Sequence, residues 1–177
     1  MNSRHSELNR RRLDTYFKFL FVRHPLDRLL SAFHEKFRLV PDYMETYGRQ
    51  IIRRYRVNAS RESLRCGDDV RIDEFVRYVV DTGRFQTDVH WTPQHRLCQP
   101  CALSYDFVGH YETLWTDADY VLGKLGVDAR VRFPRWTKDN RTTTTHGFDS
   151  AFVGVTAEYM KRLKKFYSQD YAFFGYT

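Results

Sequence analysis

The 177-residue sequence contains no run of eighteen or more apolar residues, so no membrane-spanning helix is expected within it. It opens on polar residues (Met1, Asn2, Ser3, Arg4, His5, Ser6, Glu7), so neither a signal peptide nor a membrane anchor is expected in this stretch. Nothing resembles the glycine-rich phosphate loop GxxxxGK[ST]. There is no internal repeat, low-complexity tract or visible domain boundary, so the chain reads as one domain, residues 1–177, with residues 1–14 frayed or forming a helix without its partners. Cysteine is scarce and odd in number: Cys66 stands alone, and Cys98 and Cys101 form a close pair. Acidic side chains are outnumbered 22 to 29 by Lys and Arg, and a formal net charge of +7 favours an anionic partner. Charge alone does not choose among nucleic acid, phosphate, sulfated sugar and a membrane surface. No helix-turn-helix, RNP-like or zinc-finger spacing supports nucleic acid.

What is present is the material of a core: 42% hydrophobic residues and 16% aromatics, too much for general disorder. Residues 17–22 read as a buried strand. Pro25 suits a first helical position, and Leu26, Leu29, Leu30, Phe33 and Phe37 follow at helical spacing with Asp27, Arg28, Ser31, His34 and Glu35 opposite. Residues 41–71, rich in Arg and Tyr, read as a basic loop with a short helical piece. A helix is expected over 72–80, closed by Gly83, then irregular chain over 85–100. A second buried strand is expected over 105–108. Thr116 is placed as the cap of a helix whose face is Ala118, Val121, Leu122 and Leu125. A last helix runs over about 156–167 before an aromatic tail. Strands alternating with helices predict an α/β class.

The strand–turn–helix "FKFLFVRHPLDRLLSAF" (residues 17–33) is where chemistry is expected. The end of a strand meets the start of a helix, whose unpaired N–H groups and dipole favour an anion. Arg23 stands at that strand end with a fork that matches phosphate. Ser31 and Arg28 lie on the helix's polar side. The plainer alternative is an ordinary strand–helix unit with an arginine paired to a carboxylate such as Asp27.

Residues 23–33 resemble the 3′-phosphate-binding motif R-x-P-x-x-R-L-x-S-A-[FY] of Golgi carbohydrate sulfotransferases. Further stretches resemble the chondroitin/dermatan 4-O-sulfotransferase branch: "IIRRYRVNASRESLRCGDDVRIDEFVRYVVD" (51–81), "HWTPQHRLCQPCALSYDFVGHYETLWTDADYVLGKLGV" (90–127), "FPRW" (133–136), "NRTT" (140–143) and "DYAFFGYT" (170–177). The resemblance covers the chain from about residue 16 onward. It implies a P-loop-like α/β fold with a parallel sheet flanked by helices, 3′-phosphoadenylyl sulfate (PAPS) as sulfuryl donor, no metal, and a 4-hydroxyl of N-acetylgalactosamine in a glycosaminoglycan as acceptor. It implies the Golgi lumen, and a type II membrane protein through an N-terminal anchor lying outside these residues. Arg23 and Ser31 would contact the 3′-phosphate, Arg28 on the same side of the helix could add charge to that site, and Arg141 and Thr142 are a further candidate contact. His24 departs from the family's acidic residue after the arginine. The family's 5′-phosphosulfate loop with its lysine, together with its first strand, is not among these residues, so the isolated chain is expected to transfer little or no sulfate. The alternative is a non-catalytic binder of sulfated glycan or nucleotide 3′-phosphate.

Other candidates follow from residue chemistry. His90 is placed as a general base for a sugar hydroxyl and Trp91 as a stacking platform for a sugar face, against the bland reading of a loop histidine and a core tryptophan. Glu112 is a rival base, or a helix-cap or salt-bridge residue. Arg53 and Arg54, within the basic segment 49–71, are placed on a groove for the sugar chain, against a merely solvated face. Cys98 and Cys101 are assigned a disulfide in an oxidising lumen, with free thiols or a zinc site with His90 or His95 as alternatives. Asn58 and Asn140 lie in glycosylation sequons. A glycan on Asn140 would conflict with a phosphate contact at Arg141.

Overall fold

The computed structural model describes residues 3–83, 88–135 and 151–177. Helix α1 (Ser3–Thr15) leads into strand β1 (Phe19–Val22), and α2 (Pro25–Leu39) follows after a two-residue turn. Pro25 occupies the first helical position, where its fixed φ and missing N–H cost nothing. The apolar stripe expected of α2 is buried as a unit: Leu26, Leu29, Leu30, Phe33 and Phe37 are each 4% exposed or less. Val40 is extended, as a residue before proline prefers, and this ends the helix.

The basic segment is helical rather than a loop. It comprises α3 (Pro41–Tyr43), a π-helical turn (Met44–Gly48), α4 (Arg49–Tyr55) and α5 (Arg61–Cys66). Its charges hid a core contribution, since Ile51 and Ile52 are fully buried and Tyr55 nearly so. The backbones of the π turn and the end of α5 touch: a Cβ on Gly48 would collide with the Gly67 carbonyl, and Gly67 itself adopts φ 72°. Helix α6 (Ile72–Thr82) packs against α4 on one side and α9 (Ala157–Phe166) on the other. Thr156 caps α9 by accepting from the Tyr159 amide.

Strand β2 (Phe107–His110) pairs parallel with β1, Phe19 opposite Phe107 and Val22 opposite His110. Both strands start two residues later than the apolar runs suggested. Lys18 and Asp106 use the preceding positions to pin the start of the pair, the Lys18 amide donating to Asp106 Oδ2 at 2.7 Å. After β2 a 3₁₀ turn (Tyr111–Thr113) leads into α8 (Leu114–Lys124), which starts before Thr116. The Asp117 carboxylate accepts from the His110 amide and the Thr113 hydroxyl and fastens α8 to β2. Within the stretch expected to be irregular, residues Gln94–Cys98 form a short helix, α7. The aromatic tail is likewise helical, α10 (Ser168–Phe174), stopped by Gly175 at φ 68°. Helices around a small parallel sheet make an α/β arrangement. No helix among the described residues is long and apolar enough to cross a membrane.

Trp91 stands at the centre of the core with no exposed surface, its ring 5.3 Å from Phe75, 5.2 Å from Tyr47 and 6.4 Å from Phe37. That placement corrects the expectation of a sugar platform: a ring sealed among aromatics has no face to offer. The Tyr167 hydroxyl donates to the Trp91 carbonyl at 2.7 Å, and burial pushes that phenol far above its ordinary value.

Candidate functional site

The candidate site forms where one segment, residues 88–95, runs along the polar edge of α2 as a strap. At its C-terminal end the Gln94 side chain accepts from the Arg23 amide and donates to the Arg23 carbonyl, both at 3.1 Å. This two-way bond fixes the backbone of the arginine where β1 ends. In the middle, Arg28 donates to the carbonyls of Val89 and Thr92, each at 2.6 Å. At the far end His90 comes close enough to Glu35 to help hold that carboxyl below its ordinary range, after the hydrogen bond from Lys36. Arg28, Ser31 and Glu35 recur at helical spacing, so Ser31 lies on the same edge between the two points of contact.

Behind the strap, Asp170 of α10 is fully buried and accepts from the amides of Gln94 and His95, each at 2.8 Å, while its Oδ1 lies 2.6 Å from His95 Nδ1. It satisfies the first N–H groups of α7 and ties the C-terminal helix to the strap. Nothing in the spacing of "DYAFFGYT" signals this role, because its partners stand 75 and 76 residues upstream.

At the strand end the Arg23 guanidinium lies 4.5 Å from the centre of the Tyr111 ring and makes no ion pair among the described residues. A guanidinium stacked on a ring uses its face, so its N–H edge stays available to an anion. The Ser31 hydroxyl, half-buried, makes no hydrogen bond among the described residues, and none links it to Arg23. Glu112, from the turn after β2, accepts from the His24 amide at 2.8 Å and from the Tyr176 hydroxyl at 3.0 Å. It therefore anchors the turn that enters α2. The His24 ring meets Tyr171 and Tyr176 edge-on at 5.5 and 5.4 Å. A half-buried guanidinium without an ion pair among the described residues and an unused hydroxyl are groups that fit a phosphate.

Arg28 has a different task from the one expected of it. Its terminal nitrogens serve backbone carbonyls, burial lowers its pKa, and its charge holds the strap rather than facing open space. Arg53 and Arg54 are exposed on α4, whose main contacts are with the π turn, α5 and α6 rather than with the strand pair. Asn58 is exposed in a left-handed turn (φ 57°), a conformation asparagine tolerates. Arg141, Thr142 and Asn140 lie outside the described residues.

Cys98 and Cys101 are free thiols, which corrects the expected disulfide. Gln99 adopts φ 47° between them, Cys98 is half-buried with its pKa raised by that burial, and Cys101 is exposed. No group of three or more His, Cys, Asp or Glu that could hold a metal is found among the described residues.

His90 has one side of its ring engaged. Nδ1 lies 2.6 Å from Asp88 Oδ1 and 3.0 Å from the Tyr43 hydroxyl. Burial alone would raise the Asp88 pKa, but the amide and ring of His90 and the Tyr43 hydroxyl outweigh it and hold the carboxyl below its ordinary value. Tyr43 is pushed up to about 12 by burial and by Asp88, so it remains a hydrogen-bond donor at neutral pH. Asp88 and Tyr43 escaped the sequence reading, although an acid two residues before His90 was a visible signal.

Comparison with known proteins adds a family to this geometry. The family model described as "Sulfotransferase family" matches residues 1–177. Carbohydrate sulfotransferase 14 of Danio rerio is 43% identical over 170 residues, covering 94% of this chain and 46% of its own length. Carbohydrate sulfotransferase 11 of Rattus norvegicus is 43% identical over 179 residues (97% and 49%), and carbohydrate sulfotransferase 8 of Homo sapiens 42% identical over 172 residues (94% and 40%). The chain thus spans about half the length of the curated relatives it matches, or less. No solved structure gives a significant match. The family match over the whole chain settles one question: this chain belongs to the sulfotransferase family.

Proposed function

We propose that the chain forms the 3′-phosphate-binding part of a carbohydrate sulfotransferase that moves a sulfuryl group from PAPS to a sugar hydroxyl. The observation that carries this reading is Arg23, held by Gln94 at the end of β1 with its guanidinium edge unpaired by any carboxylate among the described residues. The donor supplies an activated sulfuryl group and departs as the 3′,5′-bisphosphate. In this chain Arg23 and the Ser31 hydroxyl hold the 3′-phosphate, and Arg141 and Thr142 join them. Arg28 holds the strap that presents His90. His90 accepts the proton of the acceptor hydroxyl, a role its half-exposed ring permits. Catalysis by such a site rests on positioning and on cations matched to developing negative charge.

For the acceptor, we propose the 4-hydroxyl of N-acetylgalactosamine in chondroitin or dermatan, with Arg53 and Arg54 along the path of the anionic chain. That choice is supported by the branch motifs; the relatives' names, carbohydrate sulfotransferase, support only a sugar as acceptor. The compartment that fits it is the Golgi lumen, with exposed Asn58 open to glycosylation there.

Calorimetry with adenosine 3′,5′-bisphosphate, run beside a transfer assay with PAPS and desulfated chondroitin, tests the reading. Binding that Arg23→Ala and Ser31→Ala each weaken supports the donor site, and absence of binding overturns it. Turnover in the transfer assay rules out the alternative of a non-catalytic binder.

A further inference from the structure

The Asp88–His90–Tyr43 triangle does more than place a histidine beside the strap. Each of its three edges is a short polar contact: Asp88 Oδ1 to His90 Nδ1 at 2.6 Å, Tyr43 hydroxyl to Asp88 Oδ2 at 3.0 Å, and Tyr43 hydroxyl to His90 Nδ1 at 3.0 Å. The protons can be assigned by valence. Tyr43 has one hydroxyl proton, which goes to Asp88 Oδ2. An ionised carboxylate only accepts, so the proton in the 2.6 Å contact comes from the imidazole. A bare Nδ1 would set its lone pair against a carboxylate oxygen. The opposite ring nitrogen, Nε2, has no hydrogen-bond partner among the described residues, and the side chain is 36% exposed.

The surroundings keep this arrangement in one piece. The His90 amide donates to the same Asp88 Oδ1 at 2.9 Å, and the Asp88 carbonyl accepts from Trp91, Thr92 and the Thr92 hydroxyl, so the carboxylate sits on a closed turn. The Asp88 side chain is only 13% exposed. Tyr43 is clamped between the Lys36 ammonium, 5.2 Å from its ring centre, and the Tyr47 and Trp91 rings. Among the described residues, Glu35, Lys36, Tyr43, Tyr47 and Asp88 are the charged and titratable groups around the imidazole from α2, α3, the π turn and its own loop.

We infer that Asp88 and Tyr43 are positioning residues that lock neutral His90 as its Nδ1–H tautomer, with Nε2 bare and turned outward as the proton acceptor. This rests on the reading of His90 as the base and names the two side chains that prepare it. A base must present a lone pair at a defined point, and a carboxylate behind the ring fixes both the tautomer and the ring plane.

Two-bond ¹H–¹⁵N correlation spectra of the ¹⁵N-histidine-labelled chain read the tautomer directly, whether or not the chain transfers sulfate. Above the pH at which the ring is charged, the wild type is expected to show protonated Nδ1 and bare Nε2 for His90. In Asp88→Ala the signals are expected to move towards the Nε2–H form. Tyr43→Phe is expected to keep Nδ1–H but to broaden the ring resonances. A wild-type spectrum showing Nε2–H overturns the inference without any variant, as does an Asp88→Ala spectrum with Nδ1–H intact. Should Asp88→Ala not fold, the wild-type spectrum decides alone: Nδ1–H supports the inference and Nε2–H overturns it. If the tautomer is as inferred but His90→Ala leaves the rate unchanged in a preparation that transfers sulfate, the base reading fails while the lock stands.

Discussion

Two arginines show how the fold treats positive charge. On the helical side, Arg56 is spent completely. Its Nε and Nη2 grip the two oxygens of fully buried Glu74 at 2.7 and 2.8 Å, and Nη1 serves Asp69 and the Ser63 hydroxyl. At the strand end, Arg23 has its backbone fixed by Gln94 and its face laid on Tyr111, yet no carboxylate among the described residues meets its charge. A buried cation must find an anion within the protein, whereas a cation beside solvent at a strand–helix junction is able to wait for one from outside. The lesson is one of partners and place: an arginine matched internally is architecture, and an unmatched one at a strand–helix junction is a candidate for a ligand.

The sharpest way to break this comparison is at the matched end. Glu74→Ala leaves Arg56 half-buried beside Asp69 alone and removes the acceptor of the Arg71 amide. A stability loss of about 3–5 kcal/mol is expected in denaturant unfolding. A loss below about 1 kcal/mol would place Arg56 with the unmatched cations and dissolve the distinction.

Asp170→Ala comes next. It strands the buried amides of Gln94 and His95 and frees α7 from α10, and about 2–4 kcal/mol is expected from urea melts. The strap would loosen at its Gln94 end, so bisphosphate affinity should fall with stability.

At the unmatched end the signature reverses. Arg23→Ala is expected to change stability by less than about 1 kcal/mol and to weaken adenosine 3′,5′-bisphosphate about 10- to 100-fold by calorimetry, the value of a charge-assisted contact of roughly 1.5–3 kcal/mol. Equal loss of stability and binding would mean that Arg23 is architecture too.

The smallest effect is a pH slope at His24, beside Arg23. Burial holds its pKa below the ordinary 6.5, partly offset by Asp27 and Glu112 and reinforced by Lys164. Below pH 6.5 the unfolded chain takes up a proton that the folded ring resists. Stability therefore falls as pH drops through 6.5 towards the folded value and is fully present above 6.5. His24→Gln should flatten that part of the pH–stability curve, and an unchanged slope would assign it to another group.

The helix α2 was legible in advance because proline at its start and five apolar residues at helical spacing act locally, and one face had to be buried. The same holds for Thr156, whose side chain caps the helix it precedes. Residues 41–71 were misread because arginine density masked Ile51, Ile52 and Tyr55; the charges are carried on helices whose other faces are apolar. Trp91 was misassigned for a related reason, since an aromatic in a polar loop has the same local signature whether it faces a sugar or fills a core.

By itself the sequence determined the strand–turn–helix that carries Arg23 and Ser31, because propensity, periodicity and motif all act within seventeen neighbouring residues. Only the tertiary structure decided which arginine is spent and which is open, that Glu112 and Tyr176 anchor the start of α2, that Asp170 secures the strap, and that Asp88 and Tyr43 stand behind His90. Most of those contacts join residues 45 to 88 positions apart. The free energy of a charge depends on what the fold brings within hydrogen-bond reach, and no local pattern encodes that neighbour.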